Sequence, residues 1–382
     1  MHVLRNGTVV DADGEREADV AVEGDGIVAV GDVGRGDAET DVSGRYVAPG
    51  LVDSHVHLML DGRPDVATVQ SESAFDHAYA AAANLRAAVE AGVTTVRDLG
   101  GPGTLALDAG RAVAEGRLVG PRVLACGENI TMTGGHGHWF GREADGPDEV
   151  RKATREQLKR GADVVKCMAT GGVLTEGART GAPELTYEEI EALVDAAAAK
   201  DVPTAAHAHG KEGLLNAVEA GITSIEHGTF MDREAAAAMA AAGTYWVPTA
   251  SALFDIVDNP DAGIPPSAMA KAEASAESFV TSFDHAAAEG VTVAMGTDAG
   301  TPFNHFGDIP GELEYMVEYG MTPAEALEAA TVNAAELCGL DDVGRVSEGY
   351  RADLIVLDSD PTADAGAWTD PDHVFAGGER VV

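Results

Sequence analysis

Three short stretches of this chain carry histidines at spacings that suit metal binding. Leu51-Val52-Asp53-Ser54-His55-Val56-His57 closes an apolar run with a His-x-His pair. Side chains alternate faces along a strand, so His55 and His57 point the same way and can chelate one cation. Thr204-Ala205-Ala206-His207-Ala208-His209-Gly210 and Ser224-Ile225-Glu226-His227-Gly228 each bring an apolar run to a histidine. His207 and His227 are ligand candidates. His209 falls in the following loop and is expected to back up a ligand or face a substrate. Ala294-Met295-Gly296-Thr297-Asp298-Ala299-Gly300 adds Asp298 after another apolar run, and Val164-Val165-Lys166 ends one in lysine. A bare ammonium is costly to bury there. The chain has only six lysines, so this placement favours function. Any one of these histidines alone would more often be structural. Four histidines, a lysine and an aspartate at five strand ends are hard to explain that way.

Elements of regular spacing must position these groups. Eight apolar, β-prone runs are expected as strands: Leu51–His55, Val93–Asp98, Arg122–Cys126, Asp163–Met168, Val202–His207, Ser224–His227, Thr244–Thr249 and Val291–Gly296. Ala- and Glu-rich helical patterns lie between most of them, as in Phe75–Ala91, Pro147–Arg160, Tyr187–Lys200 and Ala268–Glu289. Strand–helix alternation over about 290 residues predicts an α/β fold, a (β/α)8 TIM barrel, with active groups at the carboxyl ends of its strands. Short β-rich runs broken by Asn6-Gly7, Asp13-Gly14 and Gly24-Asp25-Gly26 precede it, and similar runs follow it. The expected organisation is a small β-sandwich domain from residues 1–50 plus 342–382, with the barrel over 51–341. Ala250–Ser267, with three prolines, is expected to be a lid or a subunit contact.

Composition narrows the function. There are 64 acidic against 25 basic residues over 382 positions, a formal net charge of −39. Such a field repels nucleic acid. The acids are spread along the chain rather than gathered in a tail, which suits a halophilic cytoplasm where salt screens self-repulsion. Cys126, Cys167 and Cys338 are widely spaced, so neither a disulfide framework nor a thiolate metal site is expected. No apolar run is long enough to span a bilayer and the N-terminus lacks a signal-peptide layout, so a cytoplasmic protein is the expectation.

The constellation resembles the amidohydrolase superfamily over essentially the whole chain. Thr133-Gly134-Gly135-His136-Gly137-His138, the stretch from Val165 to Val173, and His207-Ala208-His209-Gly210-Lys211-Glu212-Gly213 resemble the branch of Xaa-Pro dipeptidases and metal-dependent carboxypeptidases, neighbours of the imidazolonepropionases. The resemblance implies two divalent metal ions, with Zn2+ the expected species and Mn2+, Co2+ or Fe2+ compatible. It implies that Lys166 is carboxylated and bridges them. One metal would then be held by His55, His57, the carbamate and Asp298, the other by the carbamate, His207 and His227. A hydroxide shared by the metals would attack an amide carbonyl, with Asp298 as base and then acid. His136, His138 and His209 are implied substrate contacts, and Arg179 is a candidate partner for a substrate carboxylate. The implied substrate is a dipeptide (Xaa-Pro or related) or an N-acyl amino acid, and the implied assembly a homo-oligomer. Alternatives are a cyclic amide hydrolase or deaminase of imidazolonepropionase type, which would go with one metal and no bridging lysine, a hydrolase of non-peptide amides or carbamates, and a barrel without catalysis.

Overall fold

The computed structural model describes every residue of the chain except Glu176. Five strands open it: β1 (His2–Asp11), β2 (Gly14–Glu23), β3 (Gly26–Gly31), β4 (Ala38–Asp41) and β5 (Tyr46–Pro49). Gly14 and Gly24 turn the chain between the first three at φ 101° and 62°, a region penalised for any side chain. The next strands are β6 (Leu51–Val56), β7 (Val93–Asp98) and β8 (Arg122–Ala125). After them come the two-residue strands β9 (Ile130–Thr131) and β10 (Arg142–Glu143), then β11 (Val165–Met168), β12 (Thr204–Ala208), β13 (Ser224–His227) and β14 (Tyr245–Val247). Every residue of β6, β7, β11, β12 and β13 is buried, as expected of parallel strands covered on both faces. The chain closes with β15 (Leu354–Leu357), β16 (His373–Ala376) and β17 (Glu379–Arg380). These return to pair with β5, so both chain ends share one hydrogen-bonded sheet of eight strands. Within it β1 changes parallel partner, from β4 along His2–Arg5 to β5 at Thr8–Val9.

The inner strands form two parallel sheets, β6-β7-β8 and β10-β9-β11-β12-β13-β14. Two seams join them. At the first, the Asp163 N–H donates to Ala125 O (2.9 Å) and the Asp163 carboxylate accepts from Ala125 N–H (3.0 Å). At the second, residues 291–299 run between β14 and β6. Trp246 N–H donates to Thr292 O and Ala294 N–H to Trp246 O, while Ser54 N–H donates to Met295 O and His57 N–H to Ala299 O. The domain is mixed α/β, and these seams are what a barrel-like closure requires. The expected eighth strand, Val291–Gly296, is therefore present as a connecting segment but not as a regular strand; only isolated bridges at Val293 and Ala299 pair it. Gly296 is pressed between Val247 and His55, where a Cβ would come within 2.4 Å of a Val247 methyl.

Helices α1 (Ala74–Glu90), α2 (Leu105–Ala114), α3 (Pro147–Arg160), α4 (Tyr187–Ala198), α5 (Lys211–Glu219), α6 (Arg233–Ala242), α7 (Ala250–Val257), α8 (Pro266–Glu289) and α9 (Gly311–Glu318) accompany the strands. Their bounds follow local chemistry. Ser73 with Asp76 and Thr186 with Glu189 form capping boxes that start α1 and α4. Pro147 opens α3, and Gly161 in a left-handed conformation ends it. The stretch expected as a loop from Ala250 is helical through Val257. Among the described residues no helix is long and apolar enough to cross a membrane.

The backbone is tightly packed where β12 passes into α5. A Cβ on Gly210 would lie 2.0 Å from Gly181 O, so the two loops meet main chain to main chain. Gly210→Ala is expected to cost about 1–3 kcal/mol through overpacking, read as a lower urea midpoint with an unchanged m-value.

Candidate metal centre

Register brings the candidate residues together. Lys166 on β11 lies opposite Ala205 on β12, which lies opposite Ser224 on β13. Two residues further on, Met168, His207 and Glu226 stand side by side. The period of two puts all of them on one face. Arg97, from β7, reaches Ser224 Oγ (3.3 Å) and Glu226 Oε1 (3.2 Å), so that face is the interior. The last residues turn out of the strands abruptly. His227, Thr249 and Asp298 have φ of 68°, 57° and 60°, a left-handed conformation that costs on the order of 1–3 kcal/mol for a residue with a side chain.

One cleft collects the result. His55, His57, Lys166, His207, His227 and Asp298 line it, joined by His136 and His209. Its outer wall is apolar, with Leu60, Trp139, Phe140, Leu174, Leu253 and Phe279 among its members. Among the described residues that line it, Lys166 is the only lysine or arginine.

Most of the imidazoles are pinned at Nδ1. His57 Nδ1 donates to Gly100 O (2.7 Å), and His55 Nδ1 lies 2.9 Å from Glu226 Oε2. His227 Nδ1 meets Thr249 Oγ1 at 2.7 Å; that hydroxyl gives its own proton to Pro248 O (2.6 Å), so it accepts from the ring. His209 Nδ1 is 2.6 Å from Thr229 Oγ1, and His136 Nδ1 is 2.7 Å from Thr175 Oγ1. A proton committed at Nδ1 leaves the Nε2 lone pair free, as a metal ligand requires.

The free atoms fit a cation. Asp298 Oδ1 is 3.2 Å from His57 Nε2 and 3.4 Å from His55 Nε2. It is buried and makes no hydrogen bond, and His207 Nε2 is likewise buried without a partner. Two atoms bound to one tetrahedral cation at about 2.0–2.1 Å would lie about 3.3–3.4 Å apart. His55, His227 and Asp298 have ligand atoms within 4.8 Å of one another, and so do His207, His209 and His227. A donor set of imidazole nitrogens and carboxylate oxygen suits a divalent metal.

Electrostatics keep most of these donors unprotonated; at His57 burial opposes charge, but Asp298 and Asp98 outweigh it and raise the ring above its ordinary value. Burial, reinforced by Lys166, lowers His55 to about 4. Burial also takes His209 to about 4 and His136 to about 3. Burial opposes charge on Glu226, yet Arg97, His55 and Lys166 outweigh it and hold that carboxyl at about 2. Burial would raise Asp298 too, but His55 and His57 pull it below the usual carboxylate range. Lys166 is lowered, chiefly by burial.

Two expected residues are not brought to the cleft. His138 is exposed and borders an adjacent groove beside Pro64 and Pro266. Arg179 is exposed and lines none of the cleft. His136 and His138 belong to a turning loop, so strand alternation does not apply and only His136 faces inward. Arg97, Glu226 and Thr249 were not singled out by their sequence positions. Glu226 had a signal: a carboxylate inside an apolar run, next to a candidate ligand.

The amidohydrolase family model matches residues 46–381. The chain belongs to the amidohydrolase family. It is 31% identical over 426 aligned residues to ochratoxinase of Aspergillus niger, covering 99% of this chain and 86% of that protein. It is 30% identical to imidazolonepropionase of Cutibacterium acnes, over 90% of this chain and 84% of that one. Among solved structures, a Xaa-Pro dipeptidase with methionine bound in its active site superposes with a TM-score of 0.93 at 33% identity, covering 99% of both chains. This amidohydrolase is accordingly a hydrolase acting on amide bonds.

The Arg97–Glu226–His55 chain is expected to support both the fold and the amidohydrolase centre. Glu226→Ala leaves a guanidinium buried without its partner, a loss of about 3–5 kcal/mol in chemical denaturation. It also frees the His55 tautomer, with metal affinity falling about 10–100-fold by competition with a chelator.

Proposed function

We propose that this protein is a (β/α)8 barrel over residues 51–341, carrying a β-sandwich built from residues 1–50 and 342–382, that hydrolyses an amide bond of a small substrate at a two-metal site. The observation that carries this reading is the set of fixed imidazoles around Asp298 Oδ1, which has no hydrogen bond although buried. His55, His57, Asp298 and a carboxylated Lys166 would hold one divalent ion, and the same carbamate, His207 and His227 the other. Zn2+ suits these ligands. Bound divalent ions supply Lewis-acid polarisation of a carbonyl and ease deprotonation of water.

The chain's own groups do the rest. Burial favours the neutral amine of Lys166, the form that reacts with CO2 to give a carbamate and release a proton; a costly cation becomes an anionic oxygen donor. Asp298, ionised and beside both His55 and His57, accepts the proton of the attacking water and returns it to the leaving nitrogen. His136 and His209, neutral and pinned by Thr175 and Thr229, face the carbonyl end of the substrate. The apolar outer wall takes the substrate's side chain and excludes water. A deaminase with one metal and no bridging lysine is disfavoured by Lys166 on the cleft wall.

Dipeptides of Xaa-Pro type and N-acyl amino acids are the first substrate class, supported by the likeness to the dipeptidase. A second class, neutral amides or carbamates without a carboxylate, is favoured by the cleft itself, since Lys166 is the only lysine or arginine among the described residues that line it. Hydrolysis of both classes by metal-reconstituted protein in high salt decides between them; turnover of neither overturns the amide-hydrolase mechanism. Lys166→Met is expected to lower the metal content below two per chain and abolish turnover while the melting temperature holds, because an unbranched apolar side chain of similar length replaces a buried amine.

A halophilic origin follows from the charge of −39. The melting temperature should rise by several degrees between dilute buffer and molar KCl. A constant or falling value removes the proposal.

A further inference from the structure

Trp139 borders three cavities at once: the reactive cleft, a second cavity between α1 and α2, and the groove beside Pro266. Phe140 borders the first two. The two rings pack edge to face at 4.6 Å, and Phe140 in turn meets the His57 ring at 5.8 Å. They pack against a small apolar cluster of Met59, Leu60, Val66 and Val69. The loop that carries them is tightly held. Gly134 N–H donates to Glu143 (2.7 Å), His136 N–H to Glu184 (2.8 Å), and Gly141 N–H to Gly137 O (3.0 Å). The aromatic pair thus stands between the reacting groups and the second cavity, bordering both.

That second cavity is roomy because of which side chains α1 and α2 turn toward it. Ala78, Ala81, Ala109 and Ala112 line it with Leu105 and Leu118, and Gln70, Glu72, His77, Thr104 and Asp108 also border it. The large aromatics of α1, Phe75 and Tyr79, are each 73% exposed and point away. The apolar side of this space, formed by the alanines with Met59, Val69 and Leu105, therefore continues the apolar wall of the cleft, interrupted by Trp139 and Phe140.

We propose that Trp139 is the specificity-determining residue for the length of the substrate's apolar arm. Its indole closes the cleft against the α1–α2 cavity, so the protein gains from a short apolar group and nothing more from extending it. The proposal rests on the amide-hydrolase reading for its substrate class, and on the cavities for its geometry.

The test uses the metal-loaded full chain and two homologous series of neutral compounds, acetyl to decanoyl. N-acyl p-nitroanilides report hydrolysis, and the corresponding N-alkyl amides report binding by calorimetry. In the wild type both affinity and kcat/KM should climb with chain length and then stop. In Trp139→Ala the climb should continue past that limit, by about fourfold for each further methylene buried. Trp139→Phe, which keeps a ring at this position, should retain a limit close to that of the wild type. The same limit in wild type and Trp139→Ala overturns the proposal, as does a uniform change at every chain length or an absence of binding at all lengths. Binding that follows the expected pattern without any hydrolysis sinks the amide-hydrolase reading and leaves the role of Trp139 standing. Hydrolysis with an unchanged limit does the reverse.

Discussion

A fully buried carboxylate, Glu226, holds the floor of the cleft between a guanidinium and an imidazole. Its Oε1 takes Ser224 Oγ at 2.6 Å and Arg97 at 3.2 Å, and its Oε2 faces His55 Nδ1 at 2.9 Å. Arg97 also donates Nε–H to Ser54 O at 2.5 Å, one residue before His55. Three strands are thereby locked at one level: β6 through Ser54 and His55, β7 through Arg97, and β13 through Glu226. Burying a charge pair is costly, and the attraction repays that cost only when every lone pair and proton is used. Here the partners nearly exhaust the carboxylate, which is why it stays ionised where burial alone would protonate it. His55 keeps its proton on Nδ1 because the carboxylate is there to receive it.

Backbone strain above this floor aims the outer ligands. A residue that continued β13 would carry its side chain into the sheet stacking; the left-handed turn at His227 swings the ring over the cleft instead. Thr249 does the same one strand along, although a β-branched residue is poorly suited to φ of 57°. Its neighbours compensate. The buried Glu312 on α9 accepts from the N–H groups of Ala250 (2.7 Å) and Ser251 (2.8 Å) and from Ser251 Oγ (2.6 Å). Burial lifts that carboxyl to about 8, and three donors at its oxygens are what make the location tolerable. Glu312 thus anchors the start of α7, α7 follows Thr249, and Thr249 orients His227. Strain in the ligand shell is held by bonds made one layer further out.

The parts of this arrangement visible in the sequence are those with a high cost of misplacement. His55, His57, Lys166, His207, His227 and Asp298 stand at the ends of apolar runs, where an unpaired polar group would be expensive, so position and chemistry agree. Arg97 is as deeply buried, but it lies within Val93–Asp98 and its partner is 129 residues away, a pairing that only register creates. Thr249 and Glu312 are invisible for the same reason. His138 and Arg179 show the converse failure. Both lie in loops, where neither the period of two nor that of 3.6 constrains direction, and residue type alone misassigned them to the cleft. The strand–helix alternation was legible because burial on both faces makes near-continuous apolar runs. The segment around Val293 was legible as apolar but not as irregular, since its departure from a strand comes from the close contact of Gly296 with Val247 and His55.

The acidic surface and the apolar cleft differ electrostatically, and the difference constrains what can reach the candidate metal ligands. The exterior carries most of a net charge of −39, while the outer cleft wall is apolar and burial holds the rings of His55, His136, His207, His209 and His227 toward the neutral form. In dilute solution an anionic substrate meets a repulsive field several times thermal energy before it touches the site. At about 1 M salt the Debye length is near 3 Å and that barrier is largely gone. Burial in the cleft still removes a carboxylate from water, and with Lys166 the only lysine or arginine among the described wall residues the compensation would have to come from bound divalent ions or from imidazole N–H groups. A neutral amide with an apolar arm meets neither obstacle: it is not repelled outside, and within it trades hydration for contact with Trp139, Phe140, Leu253 and Phe279. On the proposed reading this balance favours neutral apolar amides most where salt is low, and bound divalent ions would have to offset it for an anionic dipeptide.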